Sequence, residues 1–228
     1  MSLDYRIISI GTLAAHPLWD ERGEVRTGHA TTTLIRSGEV HLLVNPSLPG
    51  TAVLARLGER AGLRAANITH VLCTSWSPDH RRGLSAFDDA QWLLYEPERE
   101  SALAAIESRL ADAEADGEDD LVRALELEEN LARRTVIAPQ QIAPGVDLFP
   151  LPGPTLGTCG LILSLPAATV LLCGDAVATV EHLEQGKVLP GCADIDQSQE
   201  SFREAVEIAD AMILGRDNIV FNPLRRRM

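Results

Sequence analysis

Three short segments of this sequence carry the side chains that could do chemistry: Cys73-Thr74-Ser75-Trp76-Ser77-Pro78-Asp79-His80, Pro152-Gly153-Pro154-Thr155-Leu156-Gly157-Thr158, and Cys173-Gly174-Asp175-Ala176. Asp79 beside His80 offers a carboxylate and an imidazole, and Asp175, after an apolar run and a glycine, offers a second carboxylate. Imidazole and carboxylate oxygens are ordinary ligands of Zn, Fe and Mn. Asp79, His80 and Asp175 could therefore hold one divalent metal with open positions left for water. Asp79 and His80 are also the candidate catalytic residues, while the same trio could form a polar network with no metal and no catalysis. Ser75 and Ser77 have no histidine beside them at a spacing that marks a base, although His80 could approach through the fold.

The elements that must position these groups are mostly short. Apolar, β-branched runs bounded by Gly, Pro and Asn predict strands at Tyr5–Leu13, Thr31–Ile35, His41–Val44, His70–Thr74 and Gln91–Tyr95. Further strands are predicted at Val146–Leu151, Cys159–Leu165, Thr169–Cys173 and Met212–Leu214. Val53, Leu54 and Leu57 predict a helix over Thr51–Ala61 that Gly62 stops, and another helix is expected across Ser198–Ala209. An acidic Ala/Leu/Glu-rich stretch, about 96–134, predicts two helices broken near Asp116-Gly117. Their buried stripes are Leu103, Ile106 and Leu110, then Leu121, Leu125 and Leu131. This stretch reads as a helical insertion in a single domain of 1–228, either solvated or serving as a lid or homodimer surface. Two strand-rich halves, each carrying helices, suggest sheets packed face to face with helices outside.

Composition excludes several roles. A net charge of −13 and a pI near 4.8 argue against a nucleic-acid surface, because phosphate binding relies on clustered Lys and Arg. The one basic cluster, Arg225, Arg226 and Arg227, reads as a solubilising end. No apolar run approaches the roughly 18 residues of a membrane span and the N-terminus lacks a signal-peptide pattern, so a soluble cytoplasmic protein is expected. Cys73, Cys159, Cys173 and Cys192 form no CxxC pair, and Cys73 and Cys173 end apolar runs as small buried hydrophobes do. His16, His29, His41, His70 and His182 carry no ligand spacing; His182 is expected at the surface or at a helix cap.

The three segments, in this order, resemble the metallo-β-lactamase superfamily. Its strand-loop signature reads His-x-His-x-Asp-His, followed by a Pro-Gly-His-Thr-Pro-Gly-type turn, an apolar strand ending in Gly-Asp, and a last strand ending Pro-Gly-His. Val71-Leu72-Cys73-Thr74 leads into Asp79-His80-Arg81-Arg82-Gly83-Leu84 as the family's first strand leads into its signature. Pro152-Gly153-Pro154-Thr155-Leu156-Gly157, Gly174-Asp175-Ala176 and Ile213-Leu214-Gly215-Arg216-Asp217 match the rest, and Asn45 stands where an early acid belongs. The resemblance implies an α+β fold, a four-layer αββα sandwich of two mixed sheets packed face to face with helices outside. At the ligand positions, however, Ser75 and Ser77 stand for the first two histidines, Pro154 for the third and Arg216 for the last.

By that resemblance one metal position would keep only Asp175, while the other would keep Asp79, His80 and Asp175. Arg216 cannot give a lone pair to a metal, and if turned inward it would pair with Asp79 and Asp175 in the metal's stead. The cofactor is thus one divalent metal (Zn, Fe or Mn) or none. Three functions follow. The first is a mononuclear hydrolase of an ester, thioester, lactone or phosphoester. The second is a non-catalytic protein that binds a small-molecule ligand, and the third is an assembly role for the helical segment.

Overall fold

In a computed structural model, which describes residues 3–225, the chain forms twelve strands and six α-helices around two six-stranded sheets. The first sheet runs in chain order through β1 (Asp4–Ser9), β2 (Thr32–Ser37), β3 (Val40–Val44), β4 (His70–Cys73), β5 (Gln91–Leu94) and β6 (Val136–Ile137). Its first three strands are antiparallel and the rest parallel. The second sheet comprises β7 (Gln141–Ala143), β8 (Val146–Pro150), β9 (Cys159–Leu165), β10 (Ala168–Leu172), β11 (Ala211–Ile213) and β12 (Ile219–Phe221). It is antiparallel except where β10 meets β11.

Successive side chains of a strand point to opposite faces, so strands covered on both sides read as continuous apolar runs rather than alternating ones. In β3 and β4, Leu42, Val44 and Leu72 face the second sheet and pack with Val146, Leu148, Leu161, Leu163 and Ile213. Their neighbours Leu43, Val71 and Cys73 face outward, against α1 (Gly50–Ala61), α3 (Glu96–Asp116) and α4 (Asp119–Arg134), through Val53, Leu57, Ile106, Leu125 and Ala132. On the far side, Leu171, Cys173, Met212 and Leu214 lie under Phe202 and Ala205 of α6 (Ile195–Ile208). The result is the four-layer α+β sandwich.

Differences from the sequence reading follow from local chemistry. The first strand ends at Ser9 instead of Leu13, because Thr12 pairs with His29 and residues 10–31 leave the sheet as an irregular strap. β6, β7 and β12 have two or three residues each and α5 (Val180–Gln185) has six, too few to generate a recognisable period. α6 begins at Ile195, ahead of the expected Ser198, because the Asp194 side chain accepts from the backbone N–H groups of Asp196 and Gln197. Gly62 and Gly117 do end their helices. Leu103, Ile106, Leu110, Leu125 and Leu131 pack inward as expected, but Leu121 is exposed and Val122 packs in its place.

His182 is fully buried rather than at the surface. Cys73, Cys159 and Cys173 are buried free thiols, and burial pushes Cys73 up to about 12. Arg225 pairs with Asp210 at 3.4 Å, while Arg226 and Arg227 lie outside the described residues. No helix among the described residues is long and apolar enough to cross a membrane.

Candidate functional site

The three chemistry-bearing segments and the Gly215-Arg216 turn meet at one end of the sandwich, because each leaves the C-terminal end of β4, β8, β10 or β11. Backbone hydrogen bonds hold the loops together. Cys159 N–H donates to the Thr74 carbonyl at 3.0 Å, Thr31 N–H to Gly215 at 2.7 Å, and Arg216 N–H to Ala178 at 2.8 Å. Asn45, at φ 51°, closes the end of β3 onto β4: its Oδ1 accepts from Thr74 N–H at 2.8 Å and its Nδ2 donates to Thr74 Oγ1 at 3.0 Å. An Asx side chain tolerates that left-handed backbone and acts here as a crosslink. The next residues then turn into the short helix α2 (Pro78–Arg81), which carries Asp79 and His80.

Asp79, His80, Asp175 and Arg216 converge. Arg216 Nε donates to Asp175 Oδ1 at 2.7 Å and Nη2 to Asp175 Oδ2 at 2.6 Å, a bidentate fork, while Nη1 donates to Asp79 Oδ2. The Arg216 side chain is 7% exposed and that of Asp175 is 5% exposed. Gly215 permits this approach, since a Cβ there would run into the Gly174 carbonyl and Asp175 Oδ1. Burial alone would raise both carboxyls. The Arg216 charge more than offsets it at Asp175, and His80 together with Arg216 does so at Asp79, so both lie below the usual carboxylate range. Arg216 is correspondingly raised against its own burial, by Asp175 first and then Asp79.

His80 is wholly buried between the two acids, Nδ1 3.3 Å from Asp79 and Nε2 3.4 Å from Asp175, yet neither nitrogen has an aligned hydrogen bond among the described residues. Ser77 Oγ donates to Asp79 Oδ1 at 2.5 Å. A carboxylate held below its ordinary range is a weakened base, so Asp79 is poorly suited to activate the Ser77 hydroxyl.

Ser75 and Pro154 lie beside this cluster, and the polar group that joins their two loops is Glu98, at the start of α3, which sequence reasoning missed. Glu98 is 2% exposed and accepts from Ser75 Oγ at 2.9 Å, from Trp76 N–H at 2.6 Å and from Thr155 Oγ1. Gly157 lies against its backbone so closely that a Cβ would collide with it. Only the Pro97 two positions into the helix signals a helix start here; no pattern separates Glu98 from its exposed acidic neighbours. A cleft of about 450 Å³ opens over the cluster, bounded by Ser75, Ser77, Thr155, Asp175 and Arg216 on its floor.

A sequence profile of the metallo-β-lactamase superfamily matches residues 25–214. The chain belongs to the metallo-β-lactamase superfamily. No curated protein sequence matches this member, but solved structures do. A Thermotoga maritima protein of metallo-β-lactamase type aligns over 97% of this chain and 100% of its own, with a TM-score of 0.70 and 15% identity. The dizinc quorum-quenching lactonase AidC, solved with the product N-hexanoyl-L-homoserine, aligns over 84% of this chain and 74% of its own (TM-score 0.66, 16% identity). A mutant of AiiA from B. thuringiensis, with N-decanoyl-L-homoserine bound at its active site, aligns over 90% and 87% (TM-score 0.62, 17% identity). At such identities these likenesses establish the fold. Metallo-β-lactamases usually bind divalent metals; among the described residues of this one, no group of three or more His, Cys, Asp or Glu side chains is disposed to hold a metal ion.

Proposed function

We propose that this metallo-β-lactamase-fold protein binds a small molecule in its cleft without a metal and without hydrolysing it. One observation carries the reading: the Arg216 guanidinium sits between Asp79 and Asp175 and engages both. The oxygens a metal would need are already hydrogen-bonded to a cation that cannot lose its proton. Ser75, Ser77 and Pro154 offer no imidazole at the other positions that the family resemblance marks as ligands. As arranged, these residues do not fit a metal.

Metal-dependent members of the fold draw their nucleophile from metal-bound water. Here the cluster instead neutralises two facing carboxylates, which would otherwise repel and take up protons. Beside the cluster lies a shaped cleft of a size suited to small ligands.

A second reading, one divalent metal on Asp79, His80 and Asp175 serving ester, thioester, lactone or phosphoester hydrolysis, draws support from the two ring nitrogens of His80, which have no aligned hydrogen bond among the described residues. It would require Arg216 to leave both acids. Metal content by plasma mass spectrometry on untagged protein, before and after incubation with Zn, Mn or Fe, separates the two. Background levels are expected. About one metal per chain, lost in His80→Ala, would overturn the metal-free reading.

A further inference from the structure

We propose that the cleft beside Arg216 takes a small organic cation: an ammonium head carried on an apolar body. The inference rests on the metal-free reading of the centre and adds the ligand's chemical class to it.

The argument starts from which protons the floor can offer. A hydroxyl has one proton to donate and two lone pairs to accept with. Ser75 and Thr155 both direct their protons to Glu98, and Ser77 directs its proton to Asp79. All three hydroxyls are thereby oriented by carboxylates behind them. Ser75 Oγ also accepts from Ser77 N–H at 3.3 Å and Thr155 Oγ1 from the Thr158 hydroxyl at 2.7 Å, so the lone pairs left over are what remain for a ligand. Asp175 and Glu21, which also border the cleft, are acceptors only. Among the described residues, Arg216 is the one side chain of the lining with N–H groups, and three of its five already point at Asp79 and Asp175. Three of the remaining lining residues, Pro17, Pro154 and Pro190, have no backbone N–H to contribute.

Charge points the same way. Glu21 and Asp175 border the cleft and Asp79 and Glu98 stand directly behind its hydroxyls. Against these four carboxylates are Arg216, His80 lying between Asp79 and Asp175, and, from outside the lining, Arg26 on Glu21. A carboxylate or phosphate ligand would meet lone pairs and a net negative wall. An ammonium would meet acceptors already aimed at it, in charge-assisted hydrogen bonds about twice as strong as neutral ones. The chain's net charge of −13 favours the approach of a cationic ligand. The other walls, Ala15, Pro17, Pro154, Leu189 and Pro190, suit an apolar body.

The test titrates full-length protein, by calorimetry and by amide chemical shifts, with hexylammonium and phenethylammonium against hexanoate, 3-phenylpropionate and hexanol. Saturable binding of the ammonium compounds, about tenfold or more tighter than their carboxylate counterparts, is expected. It should be abolished in Leu189→Trp, which fills the cleft from its rim while leaving the melting temperature near that of the parent. Equal or tighter carboxylate binding, no saturable ammonium binding, or ammonium binding untouched by Leu189→Trp would each overturn the proposal. Metal content measured on the same preparation tests the underlying reading separately: a metal-free protein that prefers carboxylates refutes only the ligand class.

Discussion

Arg216 grips Asp175 through both carboxylate oxygens, at 2.7 and 2.6 Å, across 41 residues of sequence. This pair joins the ends of β10 and β11, and its third contact, to Asp79, reaches across to the first sheet. The same guanidinium thus crosslinks both halves of the sandwich at the cleft. Replacing it with Ala leaves the buried Asp175 and the partly buried Asp79 facing each other beside His80. Breaking a buried pair by removing one partner costs about 3–5 kcal/mol, which for a chain of this size lowers the melting temperature by roughly 6–20 °C. Arg216→Lys keeps the charge but loses the fork, and is expected to fall between Ala and the parent. An Arg216→Ala protein that melts with the parent would show that the crosslink contributes nothing.

The pH dependence of that loss has a definite sign. Asp79 and Asp175 have folded pKa values below those of the unfolded chain. Their contribution is therefore complete above the unfolded value of about 3.9 and is lost as pH falls through it towards the folded value. Without Arg216 the same buried acids would be raised instead, and acid would relieve their repulsion. The gap in melting temperature between the parent and Arg216→Met should consequently be widest near neutrality and narrow as pH falls towards about 4. A gap that is constant with pH would contradict the assigned coupling.

Glu98 gives a prediction for the opposite end of the cleft. Glu98→Ala removes the common acceptor of Ser75, Trp76 N–H and Thr155, leaving buried donors unpaired at a cost of roughly 2–5 kcal/mol in all. Glu98→Gln keeps an acceptor oxygen for Ser75 and Trp76. Its amide can face Thr155 if that hydroxyl turns its proton towards Thr158, 2.7 Å away, so the loss should be at most about half as large. Gly157→Ala forces a methyl into the Glu98 backbone and should lower stability by several kcal/mol, on the order of a severe overpacking defect. Urea titrations of the three variants test this ranking directly.

How much of this was legible beforehand divides along physical lines. The sandwich was, since its long strands are apolar on both faces and its segments fall in a recognisable order. Arg216 was legible as the partner of Asp79 and Asp175 only because its position in that order could be compared with a ligand position; arginine alone before Asp217 carries no such signal. Glu98 was not legible. Its burial depends on where α3 docks against the 152–158 turn, and helix docking leaves no trace in the spacing of one acid among many. The start of the strap, residues 10–13, was misread as strand: Ile10 is exposed and Thr12 pairs with His29, so apolar composition there does not mark pairing in the sheet.

His182 shows how such hidden packing alters titration. The Thr179 hydroxyl donates to Glu181 Oε2 at 2.7 Å, so towards His182 Nδ1, 2.9 Å away, it accepts. The ring proton therefore sits on Nδ1 and the lone pair on Nε2, which is buried with no hydrogen-bond partner among the described residues. Protonating Nε2 would create a dehydrated charge without an acceptor. Burial first, and the neighbouring His16 second, hold this pKa below the usual histidine value, against the pull of Glu181 and Asp175. A depressed histidine contributes its stability above the unfolded pKa of about 6.5 and loses it as pH falls below that value. Melting temperature should therefore decline from about pH 7 to pH 5 in the parent. In His182→Asn the side-chain amide can still donate to Thr179 but does not titrate, so the decline should flatten even though the smaller side chain lowers stability at every pH. Parallel melting curves for the two proteins across this range would remove His182 as the titrating group.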